Sequence, residues 1–200
     1  MSTIYDPENN CYLQGKAIFK FPIAWDILKD YPALYKACRD DTLELFQHLT
    51  ISQCLTILRV LHGGSYANME PDDSGFQEAT DCDRFIYHLK IYEFAAKYGL
   101  TQLADASLHH VRAAGDNLSF YVLAGTLANN NYLFGANEQA FTAYIKERSE
   151  MNNETLFQGD AERIGDEFAN SMTLENMLLI QIVEMKLELQ YYEALTEESQ

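Results

Sequence analysis

The first clear pattern of apolar and polar positions lies in residues 16–23 (KAIFKFPI). Phe19, Phe21 and Ile23 share one parity, and lysines occupy the other. Alternation with a period of two predicts a half-buried β-strand. Pro22 places this strand at a sheet edge or a strand end, where a missing N–H is tolerated.

Two short helices are predicted directly after this strand. Trp25 and Leu28 are three residues apart on the chain. Pro32 suits the first turn of a second helix, which carries Leu34 and Cys38 on its apolar side. A tight break before the proline therefore separates the two helices.

A short strand and the best-marked helix start of the chain come next. Residues 42–47 (TLELFQ) alternate in the manner of a strand. Thr50 and Gln53 match a T-x-x-Q capping box, in which each side chain satisfies the backbone N–H of the other residue. The helix stops at Gly63 and Gly64. Its apolar series at helical spacing is Ile51, Leu55, Leu58 and Leu61.

A loop and a pair of helices follow. Turn-forming and acidic residues concentrate in residues 67–83, which predicts a surface loop. Thr80 or Asp81 can cap the first helix. Gly99 can end that helix, and Thr101 can cap the second. A connection this short makes the two helices antiparallel neighbours. Their apolar sides are Ile91, Phe94, Ala95 and Tyr98 in the first helix, and Leu103, Ala104, Leu108 and Val111 in the second.

Beyond Gly115 the pattern is helical, with no convincing strand. Helices are predicted near residues 117–128, 137–149, 160–170 and 173–195. The last of them carries two neighbouring apolar stripes, the first with successive spacings of four, three, four and three residues. A helix that is apolar over so wide an arc is either a core helix of its own chain or a helix that binds a partner. The first stripe is Leu178, Ile182, Met185, Leu189 and Tyr192, and the second is Leu179, Val183 and Leu187.

These elements predict an α+β fold that is mostly helical. By pattern, the chain divides into an N-terminal segment (residues 1–14), a mixed domain (residues 15–114) and a helical C-terminal extension (residues 115–200). The composition of the first segment, which includes DPENN, does not favour a strand.

The charge of the chain limits its partners. The 200 residues carry a formal charge of −16. Residues 113–200 hold 4 basic and 15 acidic residues, whereas residues 1–112 hold 10 and 15. Nucleic acids and anionic membranes both require clustered Lys and Arg, so direct binding to either is not expected. The acidic surface is either simply solvated or a face for a basic partner.

The cysteines and the first residues indicate the compartment. The four cysteines form no C-x-x-C pair, and Cys38 and Cys54 fall in apolar helical patterns. The start of the chain, MSTIYDPENN, lacks the basic and apolar regions of a signal peptide. Both features favour reduced cysteines in a cytoplasmic or nuclear protein.

Residues with catalytic or metal-binding chemistry form no known motif. The five histidines make no H-x-x-x-H or H-E-x-x-H set, and no zinc spacing or phosphate-binding glycine loop is present. We therefore expect no enzyme activity, cofactor or metal, and interpret the histidines as surface or cap residues. The alternative is a small helical enzyme or ligand-binding domain, with a desolvated carboxylate near His62 or His88. The sequence does not determine whether the carboxylates of Asp26 and Glu44 are desolvated.

The order of elements and three stretches of sequence resemble the BTB/POZ family. Its segment F-x-V-H-K-x-x-L resembles the start of residues 19–40 (FKFPIAWDILKDYPALYKACRD). Its helix ending in L-Y-T-G-x-Y resembles residues 43–66 (LELFQHLTISQCLTILRVLHGGSY), with Leu61, Gly64 and Tyr66 in register. Its segment L-A-D-K-Y-x-i-x-x-L is similar to residues 91–111 (IYEFAAKYGLTQLADASLHHV). The tail resembles the helical continuation of fungal-type BTB proteins.

This resemblance implies a protein-interaction module without catalysis. Such a module acts by self-association, possible here as a homodimer, or by docking into a multi-subunit complex with a cullin scaffold or with chromatin or transcription factors. A purely structural subunit, whose last helix belongs to another protein's core, is a further alternative. The candidate self-association residues are Phe19, Phe21, Ile23, Trp25 and Leu28. The candidate partner-binding residues are Tyr66, Met69, Glu70 and Phe76, together with Leu178, Ile182, Met185, Leu189 and Tyr192.

Overall fold

The chain consists of two compact units. They are an N-terminal unit of Met1–Ala114 with Gly135–Gln139, and a C-terminal unit of Gly115–Phe134 with Ala140–Gln200. The computed structural model describes residues 9–14, 20–40, 46, 48–66, 79–130, 132–133, 135, 138–150, 154–157, 159, 162, 166 and 174–197. Within these residues there are eight helices and one two-stranded antiparallel sheet. The prediction of a mostly helical α+β chain is therefore confirmed.

A β-hairpin opens the N-terminal unit. Strand β1 (Asn10–Gln14) pairs antiparallel with strand β2 (Lys20–Ala24), and Cys11 lies opposite Ile23. Both side chains are buried, because residues directly opposite each other on paired strands point to the same face of the sheet.

The hairpin both confirms and corrects the sequence patterns. β2 agrees with the strand predicted over residues 16–23, of which 16–19 lie outside the described residues. The expectation that residues 1–14 form no strand is wrong, because β1 lies among them. A segment with weak intrinsic preference becomes a strand here because a partner strand satisfies its backbone and one face is buried.

Two short helices follow the hairpin, as predicted. They are α1 (Trp25–Leu28) and α2 (Pro32–Asp40). Pro32 is the first residue of α2, a position where its missing N–H is not needed. Leu34 and Cys38 of α2 are fully buried.

Helix α3 (Ile51–Leu61) begins at the predicted capping box. The Thr50 hydroxyl accepts from the Gln53 N–H at 3.2 Å, and Gln53 Oε1 accepts from the Thr50 N–H at 2.8 Å. The predicted apolar side is only partly correct, because Ile51 and Leu55 are 41% and 45% exposed. Burial instead follows a line rotated from the predicted one, which consists of Cys54, Ile57, Leu58 and Leu61.

The strand predicted at residues 42–47 lies outside the described residues, with the exception of Phe46. This side chain is fully buried. Its ring centroid lies 5.1 Å from that of Phe94 and 6.5 Å from that of Phe21. Phe46 therefore joins the hairpin to the first long helix within the core.

Helices α4 (Asp81–Tyr98) and α5 (Thr101–Gly115) form the predicted pair. Thr80 caps α4 in a second capping box, with Asp83 as its partner. Gly99 ends α4 at a φ of 67°, a left-handed conformation that glycine adopts without steric cost. The predicted apolar side of α4 is buried, and it consists of Ile91, Phe94, Ala95 and Tyr98.

Hydrogen bonds fix α3 to α4 at one buried contact. Gln53 Nε2 donates to the Tyr87 carbonyl at 3.0 Å, while Oε1 of the same amide caps α3. The Tyr87 hydroxyl lies 3.1 Å from Ser52 Oγ and 2.9 Å from Thr56 Oγ1. Gln53, Thr56 and Tyr87 are all buried, so each of these polar groups requires a partner within the protein.

The described part of the C-terminal unit contains three longer helices. They are α6 (Phe120–Asn129), α7 (Gln139–Ser149, whose first residue belongs to the N-terminal unit) and α8 (Leu174–Glu197). All three agree with predicted helices, whereas most of the helix predicted over residues 160–170 lies outside the described residues. α8 packs against α6.

A carboxylate organises the start of α6. Both oxygens of Glu154 accept from the Phe120 N–H, at 2.9 and 2.8 Å. Arg148 Nη2 donates to Glu154 Oε1 at 2.7 Å and to the Leu118 carbonyl at 2.6 Å. The carboxylate thus satisfies an N–H that has no partner within the helix, at the end where negative charge is favourable.

Substitution of Gln53 tests the contact between α3 and α4. Gln53→Ala removes the bond to Thr50 and the bond to Tyr87. We expect the free energy of unfolding to fall by about 2 kcal/mol, roughly 1 kcal/mol for each lost hydrogen bond. Gln53→Glu keeps the acceptor for the cap but places a carboxylate oxygen against the Tyr87 carbonyl, so it should also destabilise the protein at neutral pH.

Urea unfolding of both variants measures these changes. Gln102→Ala is the control, because Gln102 is exposed, and it should change the free energy of unfolding by less than about 0.5 kcal/mol. If Gln53→Ala were as stable as the control, the contact would not hold α3 to α4.

Candidate functional site

The most distinctive surface of the described residues is on α8. Five side chains of this helix define the apolar stripe: Leu178, Ile182, Met185, Leu189 and Tyr192. Their exposed fractions are 55%, 45%, 61%, 55% and 64%, respectively. A helix of a soluble protein ordinarily turns polar residues to solvent. The apolar stripe therefore departs from the usual pattern.

A neighbouring side of α8, about 120° around the helix from the stripe, holds the helix in the C-terminal unit. Leu179 and Val183 are 6% and 0% exposed. Gln190 Oε1 accepts from the Leu156 N–H at 3.1 Å. The sequence left a core helix and a partner-binding helix as alternatives, and the structure shows that only one side of α8 belongs to the core.

Further apolar side chains widen the exposed surface of α8. Met177, Tyr191 and Leu195 are 53%, 62% and 42% exposed. Scattered apolar residues on a protein surface need no explanation, but a contiguous set on one element is typical of a binding surface.

The candidate self-association residues of the N-terminal unit are mostly part of its own core. Ile23 and Leu28 are fully buried, and Phe19 lies outside the described residues. Phe21 is half-buried against Phe46. Trp25 is half-buried, with its ring 5.6 Å from that of Tyr35. Of the described members of this set, Phe21 and Trp25 therefore offer surface to a second copy.

A cavity of about 480 Å³ lies beside Trp25. Lys29 Nζ is 2.6 Å from Asp26 Oδ1, and this hydrogen bond lowers the pKa of Asp26. Asp26 is therefore ionised at neutral pH and is not the desolvated acid that an enzyme would need; Glu44 lies outside the described residues. The cavity is lined by Asn9, Trp25, Asp26, Lys29, Tyr35 and Arg39.

Two histidines meet between α4 and α5. The rings of His88 and His110 stack with centroids 4.8 Å apart and planes 23° apart. The Tyr66 hydroxyl is 2.7 Å from His88 Nδ1, and the Tyr66 ring lies 5.3 Å from that of His110. His109 contacts His110 edge-on at 5.6 Å. Tyr66, a candidate partner-binding residue, is therefore engaged within its own unit. Met69, Glu70 and Phe76 lie outside the described residues.

The sequence does not reveal this cluster when each histidine is considered by itself. His88 lies eleven residues before Gly99, and His110 lies eleven residues after it. A tight turn at Gly99 brings positions at equal distances along the two helices to the same level, and eleven residues are close to three helical turns. The equal spacing is the signal that could have identified the pair.

His88 and His110 are neutral at neutral pH. Burial lowers the pKa of His88 to about 4, and a charge on His110 would lower it further. Burial also lowers the pKa of His110, with His109 as a second cause. Protonation of His88 would require Nδ1 to donate rather than accept, and would place a charge against the stacked ring.

The enzyme alternative required a desolvated carboxylate near His62 or His88. Burial raises the pKa of Glu93, which pairs with Lys90 at 2.8 Å. However, Glu93 is five residues from His88 on the same helix, so the two side chains point about 140° apart. His62 is exposed. Within the described residues, no group of three His, Cys, Asp or Glu side chains could hold a metal ion.

Two cysteines distant in sequence are adjacent in the structure. The buried thiols of Cys11 in β1 and Cys38 in α2 interact, and this interaction lowers the pKa of Cys11. The same interaction and burial raise the pKa of Cys38, so its thiol is protonated at neutral pH. All four cysteines are free. The sequence did not predict this contact because the two cysteines are 27 positions apart in the chain.

The comparisons with known proteins leave the chain to be interpreted from its own geometry. No family model, no curated protein and no solved structure matches it. Among the helices that the structure describes, none has the length and apolar content needed to cross a bilayer.

The histidine cluster predicts a dependence of stability on pH. The unfolded chain titrates His88 near pH 6.5 and the folded protein near pH 4. Between these values the unfolded state binds more protons, so the stability contributed by neutral His88 is complete above about pH 6.5 and is lost as the pH falls toward 4. The full difference corresponds to about 3 kcal/mol.

Urea unfolding at a series of pH values measures this contribution. His88→Gln keeps an acceptor for the Tyr66 hydroxyl and removes the titration, so its stability should fall less than that of the wild type between about pH 7 and pH 4. His62→Gln is the control and should keep the wild-type dependence. Identical slopes for His88→Gln and the wild type would contradict the assignment.

Proposed function

We propose that this chain is a non-catalytic protein-interaction module of the BTB/POZ type, which binds other proteins through the apolar stripe of α8. The observation that carries the proposal is the exposure of the stripe, between 45% and 64% for its five members, on a helix whose other side is buried. Helix-in-groove recognition uses anchors at this spacing.

The order of elements supports the BTB/POZ type. In the N-terminal unit, β2 leads into α1 and α2, and Phe46 precedes the capped helix α3. The helices α4 and α5 complete the series. This is the order in which the family resemblance was found in the sequence, and it favours a scaffold or adaptor over a catalyst.

The module acts by docking into a multi-subunit complex or by self-association. A ubiquitin-ligase adaptor would bring a cullin scaffold to its partner, and an assembly factor would connect chromatin or transcription proteins. Both functions place the protein in the cytoplasm or the nucleus. The formal charge of −16 directs the interaction toward protein rather than toward nucleic acid or an anionic membrane.

Affinity capture with matched variants tests this function. Ile182→Ser/Leu189→Ser removes two anchors whose burial at an interface is worth about 1.5–3 kcal/mol each. We expect this variant to capture its partner at least tenfold less than the wild type, about the factor that 1.4 kcal/mol produces. Both residues are exposed, so the fold should be unaffected.

Leu133→Ser is the control, because Leu133 is an 85% exposed leucine of the same unit that lies outside α8. The control should still capture the proteins that depend on the stripe. The identity of these captured proteins distinguishes a cullin-based complex from a transcription assembly. Light scattering of the same three proteins reports self-association. The proposal fails if the stripe variant keeps both the captured proteins and the solution mass of the wild type.

A further inference from the structure

We propose that the occupant of the apolar stripe is an amphipathic helix of a partner protein whose own apolar stripe is flanked by Lys or Arg. This inference rests on the proposed function, because it names the partner of the same surface. It goes beyond that function by stating the shape and the charge of what binds.

The geometry of the stripe suits a helix. Leu178 and Tyr192 are fourteen residues apart, and the intervening anchors follow at spacings of four and three residues. This length corresponds to about 21 Å of helix. Spacings that average 3.5 residues keep a seam of side chains facing a second helix along its whole length.

Charges border the stripe on both sides. Glu188 lies on one side. Glu193 lies on the other, on the same flank as Lys186, and both glutamates are exposed. Among the residues that the structure describes, neither takes part in an ion pair with its own chain. α8 contains five glutamates and a single basic residue, Lys186. A partner with Lys or Arg at the flanking positions would pair with these carboxylates.

The same charges disfavour parallel pairing with a second copy of the chain. In a parallel pair of helices, the positions of Glu188 and Glu193 face each other across the seam. Two copies would therefore bring like charges together, in a chain whose formal charge is −16. A lipid surface is disfavoured too, because helices that lie on membranes carry Lys and Arg on their polar face.

Two synthetic helical peptides test this inference with the full chain. Both carry Leu and Ile at heptad positions a and d. One has Lys and the other has Glu at positions e and g. Fluorescence anisotropy should show that the Lys peptide binds at least tenfold more tightly than the Glu peptide. Ile182→Ser/Leu189→Ser should abolish this binding.

The contribution of charge is isolated by a pair of double variants. Glu188→Gln/Glu193→Gln should weaken the Lys peptide about fivefold, since each exposed ion pair contributes modestly. Asp105→Asn/Glu147→Gln removes the same net charge from exposed positions outside α8, and should change the affinity less than twofold.

Other outcomes overturn the inference and stay distinct from failure of the proposed function. Equal binding of the two peptides, lost in the Ile182→Ser/Leu189→Ser variant, would retain helix docking but exclude selection by charge. Unchanged binding of the Lys peptide to that variant would show attraction to the acidic surface in general. Binding of neither peptide excludes a basic helical partner. In that case, a dimer in light scattering that this variant dissociates identifies a second copy as the occupant, and a monomer leaves affinity capture to decide the proposed function.

Discussion

The N-terminal unit depends on the side-chain amide of Gln53, which serves two elements at once. Its oxygen accepts the Thr50 N–H that begins α3, and its nitrogen donates to the Tyr87 carbonyl in α4. The amide therefore couples the start of one helix to the position of the next. Since the Tyr87 hydroxyl is also bonded into α3, α4 is fixed in rotation as well as in distance. That rotation turns His88 toward Tyr66 and His110.

Local chemistry made much of this fold predictable. The capping boxes at Thr50 and Thr80 act over three residues, and Gly99 ends α4 through its own backbone conformation. Features that depend on distant residues were not predictable. β1 becomes a strand because β2 pairs with it, and Gln53 bonds to Tyr87, 34 positions further along the chain. A capping box shows that Gln53 accepts a hydrogen bond, but it carries no information about where the other half of the amide donates.

The candidate site likewise combines features that local sequence predicts with features that depend on distant residues. The spacing of Leu178 to Tyr192 predicted an apolar stripe, and the stripe is present. Periodicity alone did not determine which of the two stripes on α8 is buried, because that depends on α6, some fifty residues earlier. In the opposite sense, Ile23 and Leu28 had the apolar character of a contact surface but are fully buried in their own core. The hydrophobic pattern identifies residues whose burial is favourable. Only the packing of the folded chain shows whether the same chain buries them.

The anchored and the exposed sides of α8 suit the binding role proposed for this helix. A segment that folds only on binding must be ordered at that moment, and this ordering lowers its affinity for a given contact area. α8 avoids that cost, since Leu179, Val183 and Gln190 already hold it in the C-terminal unit. The fixed side limits the motion of the helix, and the exposed side supplies the contact area, so a partner meets a surface that needs little rearrangement. In the sequence, the wide apolar arc fits two alternatives, a core helix or a partner-binding helix. In the structure, one part of the arc is buried in the C-terminal unit and the rest is exposed.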